Sequence, residues 1–537
     1  MKKYMGDNKI PFAIMLVSGI CSLIVFFWAV LSMLLPTKYI VAAIILLILI
    51  YVVLIWMHSR KSKKLIVSSV IIECVIILFS MYALSFLWNI TNMMSRITQT
   101  VIETDSISAY VMQDSAYQVL EDTVNCSYGT VKKLSEKAVG QVLHELEESL
   151  NMSLQIVSYE DMFLAADALK ADEIQVLVIN DAYADLIPEY EGYEWFAQDT
   201  RIIGNSLEEV EVTVWTGWTR DEAVNEPESS EPQEEASGSE EINKLQEEKS
   251  QEDIADSMER MEPAEQVDWE ALVNQNIAEN PEGTFIVYIS GIDIWGNAST
   301  RSRSDTNILA VINTNTKKIL LISTPRDYYV PLSVSKGAKD KLTHAGIYGI
   351  NVSVETLEML YGVDINYYIR MNFTGFTGII DALGGIDVYS GTDFSVGDVF
   401  YYKQGMNHLS GIEALAFARE RYSFAGGDRT RGVNQMEVIK AAVNKSASLE
   451  ILYRYADVMN AASGCFSTNM SQNKIASLVR MQLNDLSGWT ITSMSVDGTN
   501  GREKTYSIPT MSSYVMIPDE STVQKTKDSI EAVLQGK

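Results

Sequence analysis

The sequence predicts two α/β domains behind a bundle of three transmembrane helices. Three observations predict this order: the first ninety residues are almost wholly apolar, two later segments mix strand-like with helix-like runs, and a strongly acidic stretch separates those two segments. The last domain, residues 280–537, is expected to be an α+β-type mixed sheet with flanking helices. A chain of 537 residues is long enough for more than one such domain.

Each of the three N-terminal apolar runs is long enough to cross the hydrocarbon core of a bilayer as a helix. Together they occupy residues 10–90, as Ile10–Leu35, Tyr39–Met57 and Leu65–Trp88. A cleaved signal peptide would have one short apolar region instead. Basic residues precede the first run and fill the loop before the third: Lys2, Lys3, Lys9, Arg60, Lys61, Lys63 and Lys64. The positive-inside rule therefore makes residues 1–9 cytoplasmic, and three spans make the C-terminal domains extracellular.

An acidic residue, Glu73, lies inside the third apolar run. An intramembrane carboxylate is a candidate for function. The alternative is that it reaches back to Lys63 or Lys64 at the cytoplasmic end, and this is the expectation.

The middle of the chain, residues 106–215, predicts a small α/β accessory domain. Helical periodicity covers 131–150 and 162–169, and strand-like runs cover 154–159 and 174–179. No nucleophile–base pair, glycine-rich phosphate loop or metal triad appears in it. The following stretch, 221–266, has 17 acids and 3 bases, half of the net charge of −28. Its composition predicts a disordered linker, and a tether that binds cations or the wall is the alternative.

Composition also excludes some classes of function. A strongly acidic chain is a poor nucleic-acid binder, because phosphate contacts need Lys and Arg. The four cysteines are scattered and have no metal-binding or disulfide-framework spacing.

The candidate site begins with a β-hairpin, whose strands are 307–313 and 319–323. An antiparallel hairpin returns its end to its beginning. Residues just before the first strand should therefore lie beside residues just after the second. The charged residues brought together are Arg301, Arg303, Asp305, Arg326 and Asp327, with Asp293 after the preceding strand. Neighbouring carboxylates suit Mg²⁺, and a solvated cluster of surface ion pairs is the alternative.

A second basic stretch follows at 417–435, with Arg419, Arg421, Asp428, Arg431 and Gln435. If 417–421 is extended, the first two arginines point to one face. A glycine pair then permits a turn, and a helix is expected from Gln435. Arginines bind phosphate bidentately, so this stretch opposite a carboxylate pair indicates a pyrophosphate clamp. Lys341 and His344 could also contact an anion, although a lone histidine is more often structural.

The motifs resemble those of the LytR–CpsA–Psr family, in order and spacing, over about half the chain. They are GID at 291–293, RSDT at 303–306, TPRD at 324–327, DKLTHAGIYG at 340–349, DALGGIDV at 381–388, RER at 419–421 and GGDRTRGVNQ at 426–435. Three spans and an additional extracellular domain resemble the capsule-associated branch.

The resemblance implies a phosphotransferase that moves a glycopolymer, such as capsular polysaccharide or wall teichoic acid, from a polyprenyl-pyrophosphate carrier to peptidoglycan, with pyrophosphatase activity as a side reaction. It implies that Asp293 and Asp305 hold Mg²⁺. The implied pyrophosphate ligands are Arg303, Arg326, Arg419, Arg421, Arg431 and Gln435, joined by Lys341. Asp327 or Asp428 would accept the proton, and other capsule or cell-wall assembly proteins would be partners.

One residue departs from the family pattern, and one different class of function stays open. Members often have arginine two residues after the first aspartate, where this chain has Trp295; Arg301 could compensate, or the site has one cation fewer. The lipid tail could lie along the apolar segments between Val354 and Val388, which core packing explains equally well. A non-catalytic membrane receptor that binds anionic lipid-linked polymer is the alternative function.

Overall fold

The computed structural model describes residues 9–32, 34–60, 62–97, 103–132, 134–210, 283–296, 298–448 and 466–537, and five isolated residues between 454 and 461. The expected cytoplasmic segment before Lys9 and the expected linker 221–266 lie outside the described residues.

Three N-terminal helices are long and apolar enough to cross a membrane. They are Lys9–Leu31 (α1), Thr37–Ser59 (α2) and Lys63–Ile97 (α3). The Glu73 side chain is buried and lies 3.7 Å from Nδ1 of His58 on α2. The expectation that it reaches Lys63 or Lys64 was wrong, because ten residues of helix place it about 15 Å further along α3.

The helices of the bundle also contact the C-terminal domain. Leu34 and Ile90 pack in one apolar cluster with Ala476 of helix Gln472–Asp485. The Tyr39 hydroxyl donates a hydrogen bond to the carbonyl of Leu483 on the same helix, at 3.3 Å. This helix therefore joins the soluble part of the protein to the end of the bundle.

The first soluble domain is a five-stranded mixed sheet in the order β3–β2–β4–β1–β5. Its strands are Glu103–Met112 (β1), Ser127–Val131 (β2), Gln155–Tyr159 (β3), Val176–Asn180 (β4) and Thr200–Val210 (β5). Its helices are Glu136–Leu150 (α4), Met162–Lys170 (α5), Asp181–Ala184 (α6) and Trp195–Asp199 (α7), with 3-10 turns at Leu120–Thr123 and Ile187–Glu189. Alternate residues of β1 and β4 face two different cores, so both faces of the sheet are covered.

The second soluble domain is built on a six-stranded mixed sheet in the order β16–β11–β6–β7–β8–β17, with four two-stranded ribbons beside it. Its strands are Thr284–Ile292 (β6), Ser304–Asn313 (β7), Lys318–Ser323 (β8), Tyr329–Pro331 (β9), Lys339–Lys341 (β10), Tyr367–Met371 (β11), Ile386–Ser390 (β12), Phe394–Val396 (β13), Phe400–Tyr402 (β14), Gly405–Leu409 (β15), Phe466–Thr468 (β16), Thr490–Ser495 (β17), Gly498–Lys504 (β18) and Ser512–Pro518 (β19). Its helices are Ile350–Tyr361 (α8), Phe373–Ala382 (α9), Gly411–Arg419 (α10), Asp428–Ser446 (α11), Gln472–Asp485 (α12) and Glu520–Leu534 (α13), with 3-10 turns at Ser333–Ser335 and Leu342–Tyr348.

The hairpin that the sequence predicts lies at the centre of this sheet, as β7 and β8. Leu309 and Val311 of β7 pack on one side with α8 and α13. Ile308 and Ala310 pack on the other side with α11 and α12. The period-two alternation of a strand explains this split. The predicted mixed α/β fold is confirmed, with the sheet as the middle of three layers.

Three expected elements differ from the structure. The helix expected over 131–150 begins at Glu136, because Val131 pairs with Tyr159 in the sheet and Ser135 has a left-handed φ of 50°. The extended segment expected over 417–421 is instead the end of helix α10. The helix expected from Gln435 begins seven residues earlier, at Asp428.

Candidate active site

The candidate site lies at the edge where β6 and β8 end and β7 begins. Asp293 follows β6, Asp305 is the second residue of β7, and Arg326 follows β8. The structure brings the two ends of the hairpin together, since Nη1 of Arg326 donates a hydrogen bond to Oδ1 of Asp305 at 2.9 Å.

Asp305 is the central carboxylate of the site. Its Oδ1 atom accepts a second hydrogen bond, from the Thr343 hydroxyl at 3.1 Å. Burial alone would raise its pKa, but the positive charges of Arg326, Arg303 and Arg431 lower the pKa below the ordinary aspartate value. Asp305 is therefore held ionised by several arginines at once.

The second carboxylate, Asp293, pairs with Nη2 of Arg419, which lies 3.1 Å from Oδ1 and 3.2 Å from Oδ2. Burial and the negative charge of Asp305 raise the pKa of Asp293, while Arg419 and Arg303 oppose the shift. The two carboxylates thus repel one another across the site, and a cation between them would relieve that repulsion.

The donor set fits magnesium. Among the described residues, no three histidine, cysteine or acidic side chains are grouped to hold a metal ion. Mg²⁺ commonly uses one or two protein carboxylates and completes its shell with water and substrate phosphate. Asp293 and Asp305 supply that number and kind of ligand.

Arg326 is surrounded by acids. In addition to the bond with Asp305, the Nε atom of Arg326 lies 3.5 Å from Oδ2 of Asp327. Its Nη2 atom lies 4.0 Å from Oε1 of Glu189. Its Nε is buried and makes no hydrogen bond to any described residue. Lys341 lies 3.1 Å from Oδ1 of Asp327, so that aspartate bridges two cations. The acids raise the pKa of Arg326, although its burial opposes this.

The N-terminus of α11 forms the other wall. Gly427, with φ of 50°, makes the turn into Asp428, whose Oδ1 pairs with Arg431. Burial raises the pKa of Asp428, and the negative charge of Asp327 raises it further. The positive charge of Arg431 lowers this pKa. A Cβ at Gly432 would lie 2.7 Å from the Ser323 hydroxyl, so this glycine lets α11 approach β8 closely. A helix N-terminus beside arginines is a suitable place for an anion.

These two walls enclose a polar cavity of about 20 Å³, roughly the room for one water molecule. Its lining includes Asp305, Arg326, Asp428, Arg431 and Gln435, with Arg429, which the sequence analysis did not single out. Arg429 pairs with Asp497 at 2.6 Å, an acid that precedes β18 and carries no motif.

Arg419 and Arg421 are separated by the end of α10 and do not lie on one extended face. Arg419 contacts Asp293 and stacks on Phe373, with 4.4 Å from its guanidinium carbon to the ring centroid. Arg421 donates to the Tyr422 hydroxyl and lowers the pKa of Asp428, which places its charge beside the α11 wall.

The accessory domain also reaches the site. Glu189, at the end of a 3-10 turn, forms a short ion pair with Nη1 of Arg303. Glu103, at the start of β1, accepts a hydrogen bond from Nε of Arg301 at 3.0 Å. Asp105 lies 3.9 Å from Arg301 as well, so Arg301 is paired with two acids of the accessory domain.

Two further residues from the sequence analysis lie beside the site. Trp295 is 60% exposed and packs edge-on against Phe373. His344 is buried, and its Nδ1 lies 2.6 Å from Oδ1 of Asp340. The expectation that His344 is structural stays a prediction, and its burial against Asp340 agrees with it. Glu189, Glu103 and Asp497 are the contacts that sequence reasoning missed, and no local pattern marks them.

Fold and site together define an α/β protein with three helices able to span a membrane and a site rich in arginines and aspartates. The chain belongs to the LytR_cpsA_psr family, whose model matches residues 242–530.

The chain is similar to polyisoprenyl-teichoic acid–peptidoglycan teichoic acid transferases named TagU. It is 38% identical to the Bacillus cereus protein over 190 residues, which are 35% of this chain and 61% of the relative. It is 34% identical to a Bacillus anthracis protein over 203 residues, 38% of this chain and 66% of the relative. The matches thus span less than two thirds of each relative. The structure of B. subtilis TagV is 28% identical, with a TM-score of 0.41, over 47% of this chain and 98% of that one.

Proposed function

We propose that this protein transfers an anionic glycopolymer, wall teichoic acid or capsular polysaccharide, from a polyprenyl-pyrophosphate carrier to peptidoglycan. The observation that carries the proposal is a polar cavity lined by Asp305, Arg326 and Arg431, with Asp293 close enough to Asp305 for the two carboxylates to repel. Membership of the family and the names of the relatives support the same reaction.

The arginines bind and neutralise the pyrophosphate. Phosphoryl transfer requires mainly the positioning of groups and the stabilisation of charge on phosphate oxygens. Arg326 lines the polar cavity beside Arg431, and we propose that its guanidinium binds a phosphate oxygen. Arg303, Arg419, Arg421, Arg431, Lys341 and Gln435 are the further ligands that we propose. Mg²⁺, held by Asp293 and Asp305, would supply additional neutralisation of phosphate charge.

The reaction forms one bond and breaks another. A hydroxyl oxygen of the glycan acceptor bonds to the phosphorus that carries the polymer, the bridging P–O bond of the pyrophosphate breaks, and polyprenyl phosphate leaves. Asp428 is the better candidate to accept the hydroxyl proton. Burial raises its pKa although Arg431 pairs with one of its oxygens, whereas both oxygens of Asp327 lie against a cation, Lys341 or Arg326.

The membrane-spanning helices hold the site near the lipid carrier. We propose that the N-terminus is cytoplasmic and that both soluble domains are extracellular. Contact of α12 with the end of the bundle supports this arrangement, since it joins the catalytic domain to the proposed membrane anchor.

The test uses the full chain in detergent with a polyprenyl-pyrophosphate-linked saccharide, peptidoglycan fragments and Mg²⁺. We expect transfer that EDTA abolishes and that Asp305→Asn and Arg421→Ala each reduce at least 100-fold, in the range for loss of one electrostatic group in an active site. Arg502→Ala, which alters an exposed arginine of β18, is the control and should keep full activity. Tight binding of the lipid without turnover, across several donors and acceptors, would instead favour the receptor alternative.

A further inference from the structure

One carboxylate in the candidate site does not come from the catalytic domain. Glu189 belongs to the accessory domain and lies 114 residues from Arg303 in sequence, yet it forms an ion pair with that arginine and lies 4.0 Å from Arg326. Both arginines are among the proposed pyrophosphate ligands. An acid in this position has the same charge as the substrate group and occupies the same donors.

The main chain around Glu189 is held firmly. Ile187 and Tyr190, on either side of it, are both buried, and Pro188 restricts the turn between them. The Glu189 side chain itself keeps 32% of its surface exposed. Rotation of this side chain could therefore release the arginines without separation of the domains.

The domains are joined by contacts that fix this arrangement. The backbone N–H of Thr104 on β1 donates to the carbonyl of Ser299 at 3.0 Å, and the N–H of Arg301 donates to the carbonyl of Thr104 at 2.8 Å. Ile347 and Ile508 of the catalytic domain lie in the core cluster that contains Ile187 and Tyr190. The hydrogen bonds and apolar packing between the two domains therefore hold Glu189 beside Arg303 and Arg326.

We propose that Glu189 is an internal competitor of the pyrophosphate group. This inference rests on the proposed function. Its carboxylate neutralises Arg303 and Arg326 while the site is empty, and the donor must displace it in order to bind. A donor with a single weak charge would compete poorly, so Glu189 favours carriers with a full pyrophosphate.

The test measures the affinity of the full chain in detergent for inorganic pyrophosphate with Mg²⁺, by isothermal titration calorimetry. Glu189→Gln keeps the shape of the side chain and removes its charge. We expect it to bind pyrophosphate about tenfold more tightly than the wild type, the order of effect of one charge-assisted hydrogen bond. Glu191→Gln is the matched control, because Glu191 is exposed and only two residues away. It should leave the affinity unchanged.

Two outcomes would overturn the inference. Unchanged affinity in a Glu189→Gln protein with a normal unfolding temperature would show that Glu189 does not compete. Weaker binding would show that it positions the arginines instead. Arg303→Ala separates this failure from failure of the proposed function. If Glu189→Gln and Arg303→Ala both leave pyrophosphate binding unchanged, the site itself is wrong. If Arg303→Ala loses binding while Glu189→Gln does not tighten it, the site is supported and only the competitor role is wrong.

Discussion

Glu103 joins the two soluble domains through a buried ion cluster, and its substitution should loosen them. Its Oε1 atom accepts hydrogen bonds from Nη1 of Arg370 at 2.6 Å and from the backbone N–H of Ile350 at 3.1 Å. Its Oε2 atom accepts one from Nε of Arg301 at 3.0 Å. The side chains of Glu103 and Arg370 are 1% and 2% exposed. A Cβ at Gly349 would lie 2.7 Å from Oε2, so the catalytic domain approaches this carboxylate closely.

Glu103→Gln keeps the volume of the side chain and leaves Arg370 buried without a counter-ion. Breaking a buried pair in this way costs roughly 3–5 kcal/mol. The lower end is expected, because the amide oxygen of glutamine still accepts one hydrogen bond and Arg370 keeps its bond to the carbonyl of Thr300, at 2.6 Å. For a unit of this size, about 3 kcal/mol corresponds to a decrease of roughly 5 °C or more in the unfolding temperature.

The assay is thermal unfolding of the full chain in detergent, followed by calorimetry and tryptophan fluorescence. Glu148→Gln is the control, since Glu148 and its partner His144 on α4 are 73% and 70% exposed. Its free energy of unfolding should change by less than about 0.5 kcal/mol. An unfolding temperature of Glu103→Gln within about 1 °C of the wild type would refute the reasoning. The double variant Glu103→Gln/Arg370→Met supplies a second check, because removal of both charges should be less harmful than the sum of the single changes.

Two shorter predictions concern Arg326 of the site and Asp185, which follows α6 in the accessory domain and interacts with the charge of Arg303. Burial raises the pKa of Asp185 to about 6, and the negative charges of Asp181, Glu189 and Asp293 add to this shift. The positive charge of Arg303 opposes it. The folded pKa of Asp185 exceeds its unfolded value, so its charged form destabilises the fold above about pH 6 and the penalty disappears below about pH 4. The Asp185→Asn protein, measured in EDTA, should thus unfold at a higher temperature than the wild type at pH 8. At pH 4 the two unfolding temperatures should be the same. An equal difference at both pH values would contradict this. Arg326→Lys replaces a planar fork with a point charge, and we expect transfer to fall about 100-fold with little change in unfolding temperature; retained transfer would show that the fork is not needed.

Local patterns in the sequence predicted the parts of the fold that depend on local interactions. Alternation along 307–313 and 319–323 predicted β7 and β8, and the geometry of a hairpin then brought Asp305 beside Arg326. The apolar runs predicted α1 and α2 within four residues at each end, and α3 within two residues at its start, although α3 continues to Ile97. In each of these, the residues that make the contact are close in sequence or joined by one turn.

The errors occurred where a tertiary contact decides the local structure. The segment Asp428–Asn434 is rich in arginine and polar residues and has no apolar period, so the start of α11 could not be seen. The helix forms there because Gly432 packs against Ser323 and Arg431 reaches Asp428. The pairing of Glu189 with Arg303 depends on the docking of two domains, and no residue pattern near either position encodes it.

The charge balance of the site links the two domains. Arginines this close together must be neutralised when no phosphate is bound, since like charges in a partly buried site repel one another. The described acids that do this include Asp293, Asp305, Asp327, Asp428 and Glu189, and of these five Glu189 alone belongs to the accessory domain. Pyrophosphate, on our proposal, takes over the role of Glu189 as counter-ion while the four aspartates stay. The attraction between Glu189 and the arginines then contributes to docking of the domains in the empty state and is lost on binding. Occupancy of the site and the strength of the domain interface are therefore thermodynamically coupled, and each must change the other by the same free energy.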